Sequence, residues 1–249
     1  MFQLRFLGTA GYFNTASRHT LGVLLPRLGI LFDAGSGIYR LQQYAASPNL
    51  QIFLSHAHLD HICGLPALLG LAPRCGIERT SVHALPATIE AVQKHLFSPA
   101  LFPAEPPFQW HPLSDGTPVE VAAGGRLQAF SLDHPGGSTG FRIDWPGHSL
   151  AYVTDTTASP DADYVERIGG VDLLLHECNF NRAQADWARR TGHSWTDEVG
   201  KVAAKARVGR LVVFHVDPLA TADPPVNLAE IREFFPRVEL AADLATFDF

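Results

Sequence analysis

Six consecutive residues, His56-Ala57-His58-Leu59-Asp60-His61, hold four side chains able to ligate a metal ion. A lone histidine is usually a hydrogen-bonded core or surface residue. Four ligand-type groups packed directly behind an apolar run, residues 51–55, are a different matter. Alternation at a strand end sends His56 and His58 the same way. A helix start just beyond can aim Asp60 and His61 at a second point nearby. Imidazole nitrogen and carboxylate oxygen suit zinc, and also manganese or iron. The bland alternative is a polar loop capping a helix.

Two metals need more ligands than this cluster offers. Three single candidates stand where later apolar runs end: His134 after Phe130-Ser131-Leu132-Asp133, Asp155 after Ala151-Tyr152-Val153-Thr154, and His215 after Leu211-Val212-Val213-Phe214. Each alone could be structural. Together with the first cluster they describe a two-metal set.

The elements that must position these groups follow from apolar patterning. Strands are expected over residues 2–7, 20–25, 28–33, 51–55, 82–85, 127–132, 140–144 and 150–154. Residues 173–176 and 211–214 are wholly apolar or nearly so, as in strands buried on both faces. Helices are expected over 62–71, 87–97, 161–168, 183–190, 196–206 and 228–234. Residues 98–118, rich in proline and aromatic residues, predict a long irregular connection of the functional kind. Phe97 just before it, with Phe102, Phe108 and Trp110 inside it, could wall a substrate pocket or pack against the body. Strands lead and helices follow in each half. That order predicts two sheets packed together with helices outside, one domain over residues 1–249.

Composition narrows the function classes. The chain has 249 residues, 46% hydrophobic and 18% charged, with a net charge of −6, so it has the makings of a folded core. The lysines are Lys94, Lys201 and Lys205, and no basic stripe appears among the arginines. A grip on long nucleic acid is therefore not expected. Cys63, Cys75 and Cys178 lack CxxC spacing and are expected to be buried thiols of a reducing, cytoplasmic compartment. The alternating N-terminus reads as a strand and not a signal peptide, and no apolar run is long enough to span a membrane. An apolar helical surface would be compatible with a homodimer.

The order HxHxDH, then a distant His, Asp and His, resembles the hallmark of the metallo-β-lactamase fold superfamily of hydrolases, over nearly the whole chain. The resemblance implies an α/β architecture, an αββα sandwich of two mixed β-sheets with helices outside and the site at one edge. It implies one metal on His56, His58 and His134, another on Asp60, His61 and His215, and Asp155 bridging them. The nucleophile would be a hydroxide held by both metals, with Asp60 orienting it or taking its proton.

Finer features resemble the ribonuclease Z-like phosphodiesterase branch. They are Leu7-Gly8-Thr9-Ala10-Gly11, His134-Pro-Gly-Gly-Ser-Thr-Gly-Phe141, Tyr152-Val-Thr-Asp155-Thr156, His176-Glu177-Cys178-Asn179-Phe180 and Gly192-His193-Ser194. That resemblance implies that His193 donates a proton to the leaving oxygen or binds the phosphate, and that Glu177 orients it. Ser138 and Arg18 are candidate substrate contacts, with backbone amides around residues 136–138 facing an anion. Arg142 is a weaker phosphate candidate, and His176 and His111 are candidate pocket residues. Ser194 and Asp197 also have the spacing of a helix cap.

Two departures bear on substrate. The tRNA-processing members of this branch carry a long arm between the third histidine and the bridging aspartate, and His134 and Asp155 leave no room for one. Trp195 stands where threonine follows the His-Ser pair. With the acidic charge, these point away from tRNA and toward a small phosphodiester such as a cyclic nucleotide or nucleotide-derived cyclic phosphate. The competing expectations are a lactone, thioester or β-lactam hydrolase on the same site, and a non-catalytic metal-binding or assembly protein. Di-iron oxygen chemistry is disfavoured: relatives of that kind carry a carboxylate where His58 stands.

Overall fold

The computed structural model describes residues 1–104 and 107–249; residues 105 and 106, inside the expected irregular connection, lie outside the described residues. Two seven-stranded mixed sheets carry the chain. The first contains β1 (Gln3–Gly8), β2 (Gly22–Leu25), β3 (Ile30–Phe32), β4 (Asn49–Phe53), β5 (Arg79–Ala84) and β6 (Gln109–Pro112). The second contains β7 (Val119–Val121), β8 (Gly125–Leu132), β9 (Ser138–Trp145), β10 (His148–Val153), β11 (Leu173–Glu177), β12 (Arg210–Phe214) and β13 (Val238–Leu240). Strand β14 (Thr246–Asp248) returns to the first sheet and pairs antiparallel with β1. The spatial orders are β14-β1-β2-β3-β4-β5-β6 and β13-β12-β11-β10-β9-β8-β7.

Contacts divide the chain into two compact units. The first comprises Met1–Ser114, Val121–Ala123 and Asp243–Asp248; the second comprises Asp115–Glu120, Gly124–Ala242 and Phe249. In the first unit, β3, β4, β5 and β6 run parallel. Leu31, Ile52 and Val82 turn one face of that sheet onto Ile62, Leu65 and Leu68 of the following helical segment. In the second unit, β10, β11, β12 and β13 run parallel. Ala151, Val153, Leu174, Leu211 and Val213 pack there against Val199, Val202 and Ala203 of the helix Thr196–Ala206. That helix keeps the span expected of it. Its buried positions recur every three or four residues, the mark of one face turned inward.

Three differences from the sequence expectations have local causes. The single helix over 62–71 is broken into Leu59–Ile62, a 3₁₀ turn Leu65–Ala67, and Leu68–Arg74. Pro66 cannot donate to a continuing helix. Gly64 also approaches the Ala34-Gly35 backbone so closely that a Cβ would sit 2.3 Å from the Gly35 carbonyl oxygen. The connection over 98–118 is not wholly irregular, because β6 pairs in register with β5. A Gln-Trp-His-Pro edge strand, ending in proline, gives almost no alternating pattern to read. Phe97, Phe108 and Trp110 pack against the first unit's core, and Phe97 also meets Phe102 edge-on, so these rings are chiefly structural. The short strands β7, β13 and β14 were not anticipated at all.

Candidate metal centre

Strand ends, most of them in parallel pairs, place most of the site residues. In the first unit Asp33 follows β3, and Ser55 and His56 follow β4; both lie at carboxyl ends of parallel neighbours, the ends at which such sheets carry their chemistry. The His56 ring centroid lies 4.4 Å from that of His58 and 4.2 Å from that of His61, so alternation and the helix start do bring the cluster together. His58 is extended and opens the helix Leu59–Ile62, whose first turn holds Asp60 and His61. Asp60 Oδ2 stands 3.4 Å from His61 Nε2 and accepts the backbone N–H of Tyr12 at 2.8 Å. The glycine turn near the N-terminus is thereby tied to Asp60.

Behind these candidate ligands sits a residue that sequence reasoning missed as a functional group. Asp33, fully buried, accepts Ser55 N–H at 2.8 Å, the Ser55 hydroxyl at 2.9–3.0 Å and His61 Nδ1 at 2.9 Å. A carboxylate in this setting only accepts, so His61 carries its hydrogen on Nδ1 and offers a lone pair at Nε2. The single Ser55 hydroxyl hydrogen goes to Asp33, so Ser55 Oγ accepts from His56 Nδ1 at 3.0 Å. His56 is thus set in the same tautomer. A charged residue ending the apolar strand next to the histidine-bearing one was the available signal.

In the second unit Asp155 follows β10, Glu177 ends β11 and His215 follows β12. Asp155 Oδ1 lies 3.1 Å from His215 Nε2, and its Oδ2 lies 3.7 Å from His134 Nε2. Its two oxygens therefore face different imidazoles, the disposition a bridging carboxylate requires. Thr154 Oγ1 donates to Oδ1 at 2.8 Å. His134 Nδ1 donates to the Gly192 carbonyl at 2.8 Å, which leaves Nε2 as its lone pair. Gly192 is at φ +76°, and a Cβ there would come within 2.1 Å of Pro135 Cδ. No larger residue fits that turn without moving what holds His134. The Asn179 side-chain amide lies 3.1 Å from His215 Nδ1 and donates to the His215 carbonyl at 3.0 Å. His215 itself is at φ +61°, a conformation that a histidine holds only where its surroundings impose it.

The donor set fits divalent cations by its chemistry. His56, His61 and His134 each have Nδ1 engaged and Nε2 presented, the arrangement by which an outer partner orients a ligating imidazole. Asp60 and Asp155 add hard oxygen donors.

Glu177 and His193 meet as the resemblance implied: Glu177 Oε1 accepts from His193 Nδ1 at 3.2 Å. The Glu177 carboxylate, fully buried, also accepts the backbone N–H groups of Thr156, Ser194 and Asn179 at 3.2, 3.0 and 3.0 Å. It therefore holds three chain segments as well as the imidazole. Ligand atoms of Glu177, His193 and His215 lie within 4.8 Å of one another, and the His193 and His215 rings stack with centroids 5.3 Å apart. His193 remains half-buried.

The remaining expected residues differ in how far they are engaged elsewhere. Arg142 is spent on Asp144 and on the carbonyls of Arg167 and Gly169. Arg18 donates to Thr9 Oγ1 at 2.6 Å. Ser138 is buried and its hydroxyl has no hydrogen-bond partner among the described residues. The Gly137 amide closes a turn onto the His134 carbonyl, so it does not face an anion. His176 is a core residue: Nδ1 donates to the Glu177 carbonyl and Nε2 accepts from Tyr164, and burial lowers its pKa. His111 stacks on His83. Ser194 does not cap the following helix; its hydroxyl donates to the Thr156 carbonyl, and Asp197 pairs with Arg182. Trp195 packs with Phe180 and Ala188. Of the three cysteines, Cys178 alone is buried, and its thiol pKa is pushed up by that burial; Cys63 is exposed and Cys75 half-buried.

His and Asp residues placed in this order behind buried strands mark a hydrolase of the metallo-β-lactamase fold. The Beta-lactamase superfamily domain family matches residues 29–216, and the chain belongs to that family. The match takes in all seven ligand candidates. The chain is 30% identical to a ribonuclease Z of Kineococcus radiotolerans, over 86% of this chain and 82% of that one. The 266 aligned positions outnumber the residues that this share of a 249-residue chain supplies, so the relative has segments with no counterpart here. The fold is similar to the metallo-β-lactamase fold protein YhfI of Bacillus subtilis, with TM-score 0.83 and 23% identity over 99% and 98% of the two chains. It is also similar to the short form of human tRNase Z, with TM-score 0.77 and 23% identity over the same shares. These likenesses establish the αββα sandwich of two mixed sheets.

Proposed function

We propose that this chain is a dinuclear phosphodiesterase acting on a small phosphodiester, such as a cyclic nucleotide or a nucleotide-derived cyclic phosphate. His56, His58, His134 and Asp155 would hold one divalent ion, and Asp60, His61, Asp155 and His215 the other. These are the two sets that the resemblance implies, with Asp155 common to both. Zinc is the first choice of this donor set, with manganese and iron compatible. Two such ions lower the pKa of a shared water and offset charge on a phosphate.

The chain's own residues supply the rest. Asp60, held by the Tyr12 amide, is placed to orient or deprotonate the attacking water. His193, held at Nδ1 by Glu177, keeps Nε2 for a proton delivered to the leaving oxygen. An alkoxide leaves poorly without such a donor, and an acyl substrate needs it less. Ser138 and Arg18 are the candidate substrate contacts. We place the enzyme in the cytoplasm; among the described residues no helix is long and apolar enough to cross a membrane.

One observation carries the substrate reading. Between His134 and Asp155 the chain is a single hairpin, β9 to β10, closed at Trp145 and His148. No arm for a tRNA body is present in that interval. Metal analysis of the purified protein, followed by a panel of phosphodiesters, precursor tRNA and lactones, tests it. Cleavage of 2′,3′-cyclic nucleotides and bis-p-nitrophenyl phosphate, with precursor tRNA left intact, is expected. Preferred cleavage of lactones or of precursor tRNA would overturn it.

A further inference from the structure

The loop that reaches Asp60 has an unusual tip. Tyr12 lies at φ +61°, a region that a bulky residue rarely occupies. The Phe13 N–H bonds back to the Gly11 carbonyl at 2.7 Å, which makes Tyr12 the centre of a three-residue turn. Burial does not compensate for this conformation: Tyr12 is 75% exposed and Phe13 39% exposed. The two rings meet edge to face, with centroids 4.9 Å apart and planes at 68°.

The base of the loop, by contrast, is braced. Thr9 and Ala10 both donate to the His19 carbonyl, and the Thr9 hydroxyl and the His19 amide both reach Asp243. Thr15 Oγ1 accepts the amides of Ser17 and Arg18. The aromatic pair therefore projects from a fixed frame, and the Tyr12 amide itself bonds to Asp60 at 2.8 Å. A strained, solvent-facing tyrosine coupled through its own backbone to a candidate catalytic carboxylate has no folding role to account for it.

We propose that Tyr12 and Phe13 form a stacking platform for the nucleobase of the substrate. This rests on the phosphodiesterase reading and narrows it to phosphodiesters that carry a base. An aromatic face accepts any base, so the platform would favour nucleotides over base-free phosphodiesters without selecting among bases. The charge-poor tip suits a flat π surface better than a phosphate.

Two measurements on metal-loaded protein test this. One is the ratio of kcat/KM for adenosine 2′,3′-cyclic phosphate to that for glycerol 1,2-cyclic phosphate. The other, independent of turnover, is the calorimetric affinity for adenosine monophosphate against ribose 5-phosphate. The double variant Tyr12→Gly with Phe13→Ala removes both rings, and glycine accepts the positive φ. Both ratios are expected to fall about tenfold in it. Tyr12→Trp, which keeps a ring, should retain them. Equal affinity of the unaltered protein for the two monophosphates, or unchanged ratios in the double variant, would overturn the platform even where phosphodiesters are cleaved. A changed oligomeric state with base preference intact would overturn it too, and assign the rings to a contact between copies of the chain. Failure to cleave any phosphodiester would instead sink the parent reading, and the platform with it.

Discussion

Asp33→Asn is the most searching perturbation of the metal centre, because it alters hydrogen-bond polarity at nearly constant shape. Asparagine tolerates the φ of +54° at this position, so the backbone gives no reason for failure. The carboxylate takes donors on both oxygens: Ser55 N and Oγ on Oδ1, His61 Nδ1 and Ser55 Oγ on Oδ2. An amide must turn its NH₂ toward one of these sets. Facing His61, it forces the hydrogen off Nδ1 and onto Nε2, which removes the ligand lone pair. Facing Ser55, it opposes a buried backbone N–H. A hydrogen bond to a charged group is worth about 1.5–3 kcal/mol, and loss of an outer partner typically weakens metal binding about ten- to hundredfold. Zinc affinity measured by chelator competition should fall by that factor, with the far-UV spectrum retained. Ser55→Ala removes the hydroxyl between Asp33 and His56 but leaves the direct Asp33–His61 bond, and should cost less. Asp33→Asn protein that folds and still binds zinc within about twofold of the parent would refute the assignment of Asp33 as the residue that sets both imidazoles.

Other outcomes follow from the same geometry. His193→Ala should lower kcat about 10²- to 10⁴-fold on alkyl phosphodiesters at unchanged metal content, and far less on p-nitrophenyl esters, whose leaving group needs no proton; equal losses on both would remove the donor role. Gly192→Ala, strained at φ +76° and blocked by Pro135, should lower stability by more than about 1 kcal/mol in chemical denaturation and weaken metal binding through His134, and a neutral result would show that the turn relaxes. His83 is buried between Phe53 and His111, its nitrogens lack hydrogen-bond partners among the described residues, and burial, with His111 second, lowers its pKa from 6.5 to about 4. Between those values the unfolded chain binds more protons, so stability is complete above pH 6.5 and falls toward pH 4, by on the order of 3 kcal/mol. His83→Phe should keep the stack and flatten that slope in melts across the range; an unchanged slope would mean that another group titrates.

The candidate ligands were legible because their chemistry is dense and most of them stand just behind strands. Polar side chains directly behind buried apolar runs have few structural uses, and parallel strands bring such ends to one side of a sheet. The groups that orient the ligands were not legible, for a different physical reason in each case. Asp33 ends the apolar strand beside the histidine-bearing one, but many an aspartate leaves a strand for a turn. Only its complete burial against Ser55 and His61 separates it, since carboxylates are almost never fully buried unless paired. The Gly192 carbonyl that sets the His134 tautomer is a backbone atom, for which residue type gives no signal. Ser194 showed the opposite failure: a cap-like spacing with Asp197, and a hydroxyl spent on the Thr156 carbonyl. Strands β6, β13 and β14 escaped because each pairs on one side alone. An edge strand buries too little for alternation to register, and β6 also ends in proline. The helix over 196–206 lies at the other extreme, covering its sheet with an uninterrupted apolar stripe. Legibility thus tracked how much of an element's energy comes from its own side chains. Where a long apolar face or a run of ligands carries the energy, the sequence displays it. Where a carbonyl, a positive φ or a neighbouring strand carries it, three dimensions are needed, and the groups that tune the metal centre are of that second kind.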